Sequence, residues 1–187
     1  MRRLLTSLVI LAAAAGTSAC GNKEAETLHG TTEGAYLDLA GMKYQVQISR
    51  QLNPASVEDR YYLIGLNGND RRLPVGQEWF AVFMRVENDG DKAERAATDY
   101  LITDTQGNRY RPLSFAPVNS FAYRGGGLML PTEILPKPDS PSGQGSIQGA
   151  LLLFKIPVAN FENRPLVLRI SPPAGEGTEV GTIDLDV

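Results

Sequence analysis

The chain has very few of the residues on which metal sites and nucleophilic enzymes depend. Its 187 residues include one cysteine, Cys20, and one histidine, His29. A single cysteine excludes an intramolecular disulfide, so a folded domain must be held together by its hydrophobic core. A single histidine excludes a multi-histidine zinc site, and its place in a polar segment near the start of the chain argues against a Ser-His-Asp triad.

Long hydrophobic runs are also lacking. The longest, residues 4–15, has 12 residues, whereas a membrane-spanning helix needs about 20. Two arginines, Arg2 and Arg3, precede this run, and small residues follow it. This order is typical of a cleavable export signal. We therefore predict that residues 1–19 are a signal peptide.

The residues after this run, Thr17-Ser18-Ala19-Cys20, resemble the lipobox of bacterial lipoproteins, although that family favours leucine where Thr17 stands. In lipoproteins the chain is cleaved before the cysteine, whose thiol carries a diacylglyceryl group. The resemblance implies lipidation of Cys20 and a protein anchored in the cell membrane, on its extracytoplasmic face. The alternative is ordinary cleavage that leaves a free thiol, and a lone thiol is unusual in an exported protein.

Cleavage before Cys20 leaves 168 residues and changes the formal net charge from −3 to −5, because Arg2 and Arg3 are removed. This length suits one domain, and the acidic balance disfavours a nucleic-acid partner. Residues 20–32 are polar, mixed in charge and without apolar periodicity. We predict that they are the lipidated cysteine and a flexible tether, and that residues 33–187 form the folded domain.

The periodicity of the remaining chain is that of β-strands. In residues 42–49, apolar side chains occupy every second position, as a half-buried strand requires. In residues 78–88 one face is apolar throughout, and the opposite face changes from apolar to polar along the strand. This pattern predicts a central strand whose first half is buried on both sides. The inward set is predicted to be Phe80, Val82, Met84 and Val86.

Turn signals separate the predicted strands. The sequence Asn88-Asp89-Gly90 favours a hairpin, because both central positions tolerate positive φ. Residues 104–108 form a second turn signal, with Gly107 suited to the left-handed position. Further strands are predicted over residues 109–113, 147–156, 166–170 and 181–187. Since no segment has a sustained helical period, we predict an all-β fold, a single antiparallel immunoglobulin-like β-sandwich.

Several of these segments together resemble a known family. They are Gly76 leading into residues 79–86, the turn at residues 88–90, the hairpin over residues 104–110, and the glycine-flanked strand over residues 145–157. They are similar to the immunoglobulin-like (telokin-like) domain of unknown function found in many bacterial lipoproteins. The resemblance implies a lipid-anchored sandwich of roughly seven to nine strands and no known activity. Paired cysteines are lacking, and Trp79 is expected to fill the core without a disulfide beside it.

Two connections, residues 53–77 and 114–146, are too long for simple turns, and such loops are commonly functional or contain further structure. The second contains Phe121, Tyr123 and Arg124, followed by the glycines at residues 125–127. Aromatic residues beside arginine and flexible glycine are typical of adaptable binding loops. These three residues are therefore the candidate binding loop. The competing interpretation is that Phe115 and Phe121 tuck under the sheets and close one end of the sandwich, and we favour it because buried aromatic residues are common in loops that cover a core.

Two other motifs have ordinary explanations. Asn88, Asp89, Asp91 and Glu94 gather oxygen ligands but lack the spacing of a calcium loop, so we predict a solvated hairpin and no metal site. The glycine-rich residues 143–149 enter a strand rather than a helix, so they are predicted to form a loop or bulge and no phosphate site.

The sequence therefore favours a non-enzymatic binding module of the cell envelope, without cofactor or metal, whose partner is an envelope protein or polymer. A small-ligand or metal carrier is one alternative, and a small envelope hydrolase is another. The oligomeric state is not predicted.

Overall fold

The computed structural model describes residues 27–186. The predicted signal peptide, Cys20 and most of the predicted tether lie outside the described residues. Within them the secondary structure is almost entirely β. The strands are β1 (His29–Gly30), β2 (Tyr36–Leu39), β3 (Met42–Leu52), β4 (Gln77–Glu87), β5 (Glu94–Arg95), β6 (Asp99–Thr103), β7 (Arg109–Tyr110), β8 (Leu128–Met129), β9 (Ile134–Leu135), β10 (Ala150–Pro157), β11 (Leu166–Ser171) and β12 (Gly181–Leu185). The helices are α1 (Val57–Tyr62), α2 (Pro141–Gln144) and a 3-10 helix (Val158–Glu162).

These strands form two main sheets. The first has the order β1-β12-β11-β6-β7, and the second has the order β10-β4-β3-β2, with β9 pairing to the last residues of β4. Strands β5 and β8 form a separate small ribbon. All pairings between these strands are antiparallel except that of β1 with β12, which is parallel. The predicted antiparallel β-sandwich is confirmed.

The main core lies between the two sheets. Alternation along β4 directs one set of side chains into this space, and Phe80, Val82, Met84 and Val86 are all 0% exposed there. The first sheet contributes Tyr100, Ile102, Leu168, Ile170 and Ile183 to the same cluster. The predicted inward face of β4 is therefore correct.

A second core covers the outer face of the β10-β4-β3 part of the second sheet. The long connections at residues 53–77 and 114–146 lie over this face and exclude water from it. The cluster consists of Leu52, Tyr62, Leu66, Trp79, Ala81, Phe83, Leu151 and Leu153. Trp79 is 2% exposed in this outer cluster, so it fills a core as expected, but that core lies on the outer face of the second sheet and not between the sheets. Its position follows from strand alternation, which places it opposite to Phe80.

The predicted hairpin at residues 88–90 is wrong, because the strand that follows does not pair with β4. After β4 the chain crosses to the other sheet, where β6 lies, and β5 pairs with β8 on the way. The Asn88 side chain is fully buried. It donates to the backbone oxygens of Lys92 (2.7 Å) and Met129 (2.9 Å) and accepts from the Gly90 N–H (3.1 Å). Asn88 therefore organises a crossover, which a local turn signal does not distinguish from a hairpin.

The second predicted turn is confirmed as the hairpin between β6 and β7, with Gly107 at φ +80°. Burial of Asp104 opposes its ionisation. Hydrogen bonds from Asn108, Asn163 and the Tyr110 hydroxyl outweigh this cost and lower the pKa of Asp104 to about 2. The carboxylate is thus charged at neutral pH and ties the hairpin to the segment before β11.

The described end of the predicted tether is attached to the sandwich. Strand β1 pairs with β12, His29 Nδ1 lies 2.8 Å from Thr182 Oγ1, and the Thr32 hydroxyl donates to Asp186 (2.8 Å). The last residues of the predicted tether thus form an edge of the first sheet.

Over residues 27–186, none of the helices has the length and apolar character needed to cross a bilayer.

Candidate functional site

A groove of about 500 Å³ opens at the edge of the sandwich where β7 and β10 lie. Strand β10 is an edge strand, and two loop segments satisfy part of its outer backbone. The Leu151 N–H donates to Phe121 O (2.7 Å), the Tyr123 N–H to Leu151 O (2.9 Å), and the Leu113 N–H to Leu153 O (2.7 Å). Residues 111–115 and 122–125 thus reach the same strand and line the groove together.

Tyr123 packs at this groove with its ring against the main core. Its ring makes an edge contact with Tyr100 (centroids 5.1 Å apart, 78°). Its hydroxyl donates to Ala97 O (2.8 Å) and accepts from the Tyr100 hydroxyl (2.7 Å). Burial raises the pKa of Tyr123 far above the ordinary value of 10.0, and burial raises that of Tyr100 as well. Both phenols stay protonated, so they serve as a rigid hydrogen-bonded support rather than as acids or bases.

Phe121 faces a different environment. It packs against the second core, where its ring makes an edge contact with Tyr62 (centroids 5.1 Å apart, 81°). The structure therefore does not bring the side chains of Phe121, Tyr123 and Arg124 to one surface. The Phe121 and Tyr123 rings have the closing role that the sequence favours over binding, and Phe115 also packs against the second core. Of the three, only Arg124 is exposed.

Arg124 is held at the surface by neutral acceptors. Its Nη1 donates to Phe115 O (3.2 Å) and its Nη2 to Ala116 O (2.7 Å). No carboxylate of the described residues forms an ion pair with it. Arg124 also lines a second cavity of about 480 Å³, which is bordered by β8 and β9. No ion pair compensates the charge of Arg124 among the described residues. Two backbone oxygens orient its guanidinium, and the residue lies between the two cavities and lines both.

A second arginine, Arg111, lies in the same groove. Its Nη1 is 2.8 Å from an Asp99 oxygen, and the other Asp99 oxygen accepts from the Ser171 hydroxyl (3.0 Å). Two guanidinium groups and one carboxylate give the groove a net charge of +1, in a chain whose formal net charge is −3. The sequence predicts the hairpin that pairs β6 with β7, but it does not single out Arg111 or Asp99, because no motif marks either residue as part of a site.

Gly125 and Gly126, beside Arg124, provide close packing rather than the flexibility that the sequence favoured. A Cβ on Gly125 would lie 2.3 Å from Ala97 O and 2.5 Å from a Tyr123 ring carbon, which no side chain tolerates. Gly126 has φ +82°, a conformation that L-residues with a side chain rarely adopt. The segment that positions Arg124 is therefore packed tightly against residues 96–98, which lead into β6.

The groove has the chemistry of a binding surface. Guanidinium groups donate hydrogen bonds in a fixed planar arrangement and suit carboxylate, phosphate or carbonyl oxygens. Neither the groove nor the rest of residues 27–186 contains a group of three or more His, Cys, Asp or Glu side chains that could hold a metal ion.

Comparison with known proteins finds partial structural likenesses at low sequence identity. No protein-family model matches the chain, and no curated protein matches it in sequence. A solved structure of the yjhA protein from Bacillus subtilis is 10% identical, with a TM-score of 0.48, covering 83% of this chain and 99% of its own. An uncharacterized β-sandwich protein from Clostridium difficile is 10% identical, with a TM-score of 0.44, covering 84% of this chain and 95% of its own. The resemblance to a telokin-like lipoprotein domain stays a prediction.

Proposed function

We propose that the protein is an extracytoplasmic lipoprotein, anchored in the cell membrane through Cys20, whose immunoglobulin-like sandwich is a non-enzymatic binding module of the envelope. The observation that carries the binding role is Arg124, a cation oriented by two backbone oxygens between two cavities and without an ion-pair partner among the described residues. Its partner is an envelope protein or polymer that presents acidic or carbonyl-rich segments.

The anchoring role is supported by the sequence. Arg2 and Arg3, the 12-residue apolar run and the lipobox-like residues 17–20 occur in the order of a lipoprotein signal. Since Cys20 is the single cysteine, its lipidation consumes the only thiol of the chain. Two or more acyl chains make attachment to a bilayer effectively stable.

Replacing Cys20 by serine is expected to abolish acylation and to move the protein from the membrane fraction to the soluble fraction. The measurement is incorporation of a labelled fatty acid, together with fractionation of the cells. Because the chain has one cysteine, the wild-type protein purified from membranes is also expected to resist thiol-reactive reagents. A wild-type protein whose thiol reacts in full, or a serine variant that still sediments with membranes, would contradict anchoring through Cys20.

The binding role predicts that Arg124→Ala loses the partner while keeping the fold. A hydrogen bond to a charged group contributes about 1.5–3 kcal/mol, so the affinity is expected to fall by about 10- to 100-fold. The measurement is affinity capture from the native envelope, with the anchored protein as bait. Arg169→Ala is the matched control, because Arg169 is exposed on β11 and does not line the groove.

Both variants are expected to melt at the wild-type temperature, since each removes an exposed side chain. Capture is also expected to weaken as salt concentration rises, because surface charges are screened. Equal capture by wild type and Arg124→Ala would move the binding surface away from this groove.

A further inference from the structure

Two large apolar side chains are exposed at one end of the sandwich. Leu128 in β8 and Leu130 just after it are each 56% exposed. Leu128 lines the cavity of about 480 Å³ together with Met129 and Leu135, and Leu130 lies two residues further along the chain. Exposed leucines grouped in this way are typical of a surface that contacts another apolar phase.

The chain enters the sandwich at the same end. The Asp38 N–H donates to Thr27 O (3.2 Å), and the Gly34 N–H donates to Val46 O (2.9 Å). Asp38 pairs with Lys43, so residues 27–34 run along the sheet away from the turn that joins β2 to β3. Thr27, the first described residue, therefore lies toward that turn.

The turn between β2 and β3 connects this entry point to the leucines. A Cβ on Gly41, in the turn, would lie 3.5 Å from the Glu94 side chain. Glu94 pairs with Met129, and Arg95 pairs with Leu128. The entry of the chain, the turn and the exposed leucines thus share one end of the molecule.

We propose that this end of the sandwich faces the bilayer and that Leu128 and Leu130 insert into the membrane interface. The inference rests on the proposed lipidation of Cys20. Residues 20–26 lie between that cysteine and Thr27, and seven residues span at most about 25 Å. An anchored domain is therefore held at high local concentration near the lipid surface, where even a weak apolar contact is populated.

The charges around the leucines are mixed. Arg95, Arg124 and Lys137 are basic, whereas Glu94, Glu133 and Asp139 are acidic, and Glu133 accepts from the Leu130 N–H (2.6 Å). Since the two signs nearly balance, the contact with the bilayer is apolar and does not require anionic lipid.

The test uses the full lipidated chain in vesicles of phosphatidylethanolamine and phosphatidylglycerol, with an environment-sensitive thiol fluorophore on Leu128→Cys. Val75→Cys is the matched control. Val75 is 105% exposed just before β4, and the 11 residues of β4 separate the two ends by about 33 Å. On vesicles the label at position 128 is expected to shift to shorter wavelength and to show several-fold weaker quenching by aqueous iodide. The label at position 75 is expected to remain unchanged.

Leu130→Cys is expected to give the same result and guards against a local disturbance of β8 by the first substitution. Equal quenching of labels at both ends, in a protein that floats with the vesicles, would overturn the proposed orientation and leave the anchor intact. A protein that fails to float with the vesicles would overturn the lipidation of Cys20 and this inference with it.

Discussion

Replacing Phe80 by alanine is expected to lower the free energy of unfolding by about 3–5 kcal/mol. Phe80 is fully buried in the main core, on the strand that pairs with both β3 and β10. Its ring makes an edge contact with Phe161 (centroids 5.6 Å apart, 63°). Truncation removes buried apolar surface, and the two hydrogen-bonded neighbours of β4 prevent the cavity from collapsing. The loss is comparable with the whole stability of many domains.

Thermal and urea unfolding followed by circular dichroism measure this effect. For a domain of this size, the expected loss lowers the melting temperature by about 6–20 °C. Val75→Ala is the control, because the side chain is fully exposed and its removal is expected to change stability by about 0.5 kcal/mol or less. A soluble Phe80→Ala protein that melts within a degree or two of wild type would show that Phe80 is not a core residue.

The sequence predicts the long strands because their two faces differ chemically. In β3 and β4 every second residue is apolar over several positions, and that alternation fixes both the strand and its inward face. The apolar first half of the opposite face of β4 also predicts burial on both sides, and Trp79, Ala81 and Phe83 are buried there. What the pattern does not specify is which part of the chain covers that face.

Features that depend on distant pairing are not predictable from local patterns. Strands β1, β5, β8 and β9 have two residues each, too few to show any period. The sequence at residues 88–90 has the chemistry of a hairpin turn. The strand that follows nevertheless joins the other sheet, because its apolar residues complete the opposite side of the core. The packing of the whole core decides which strand β6 pairs with. The residues of the turn are compatible with that pairing but do not determine it.

The candidate site is partly predictable for the same reason. The length and composition of residues 114–146 point to the segment that carries Arg124. They do not show that the aromatic neighbours turn inward, since Phe121 and Tyr123 fill two different cores on either side of the second sheet. Gly125 looks flexible in sequence, but it is required where the segment touches Ala97. Arg111 and Asp99 join the groove only when β6 and β7 pair.

Replacing Trp79 by alanine is expected to cost about as much as replacing Phe80, about 3–5 kcal/mol. In a sandwich of two layers the outer face of a central strand is solvated, and truncation there changes stability by about 0.5 kcal/mol or less. Here the long loops cover that face, and Trp79 is 2% exposed beneath them. Lys155 Nζ also lies 5.0 Å from the centre of the indole ring.

Two further variants separate packing from the charge contact at Trp79. Trp79→Phe retains most of the buried ring and is expected to lose a smaller part of the stability. Lys155→Met removes the cation but keeps an apolar stem. It therefore removes the cation–π contact, which contributes about 0.5–1 kcal/mol at a partly exposed site, together with the ion pair to Asp70 (3.7 Å) and the hydrogen bond to Asn69 O (3.4 Å). If Trp79→Ala unfolds at the same urea concentration as wild type while Phe80→Ala is strongly destabilised, the loops do not form a second core in solution. The fold would then be stabilised by the main core between the two sheets alone. The loop that carries the backbone oxygens of Phe115 and Ala116 would not be held in place, and these oxygens would not orient Arg124.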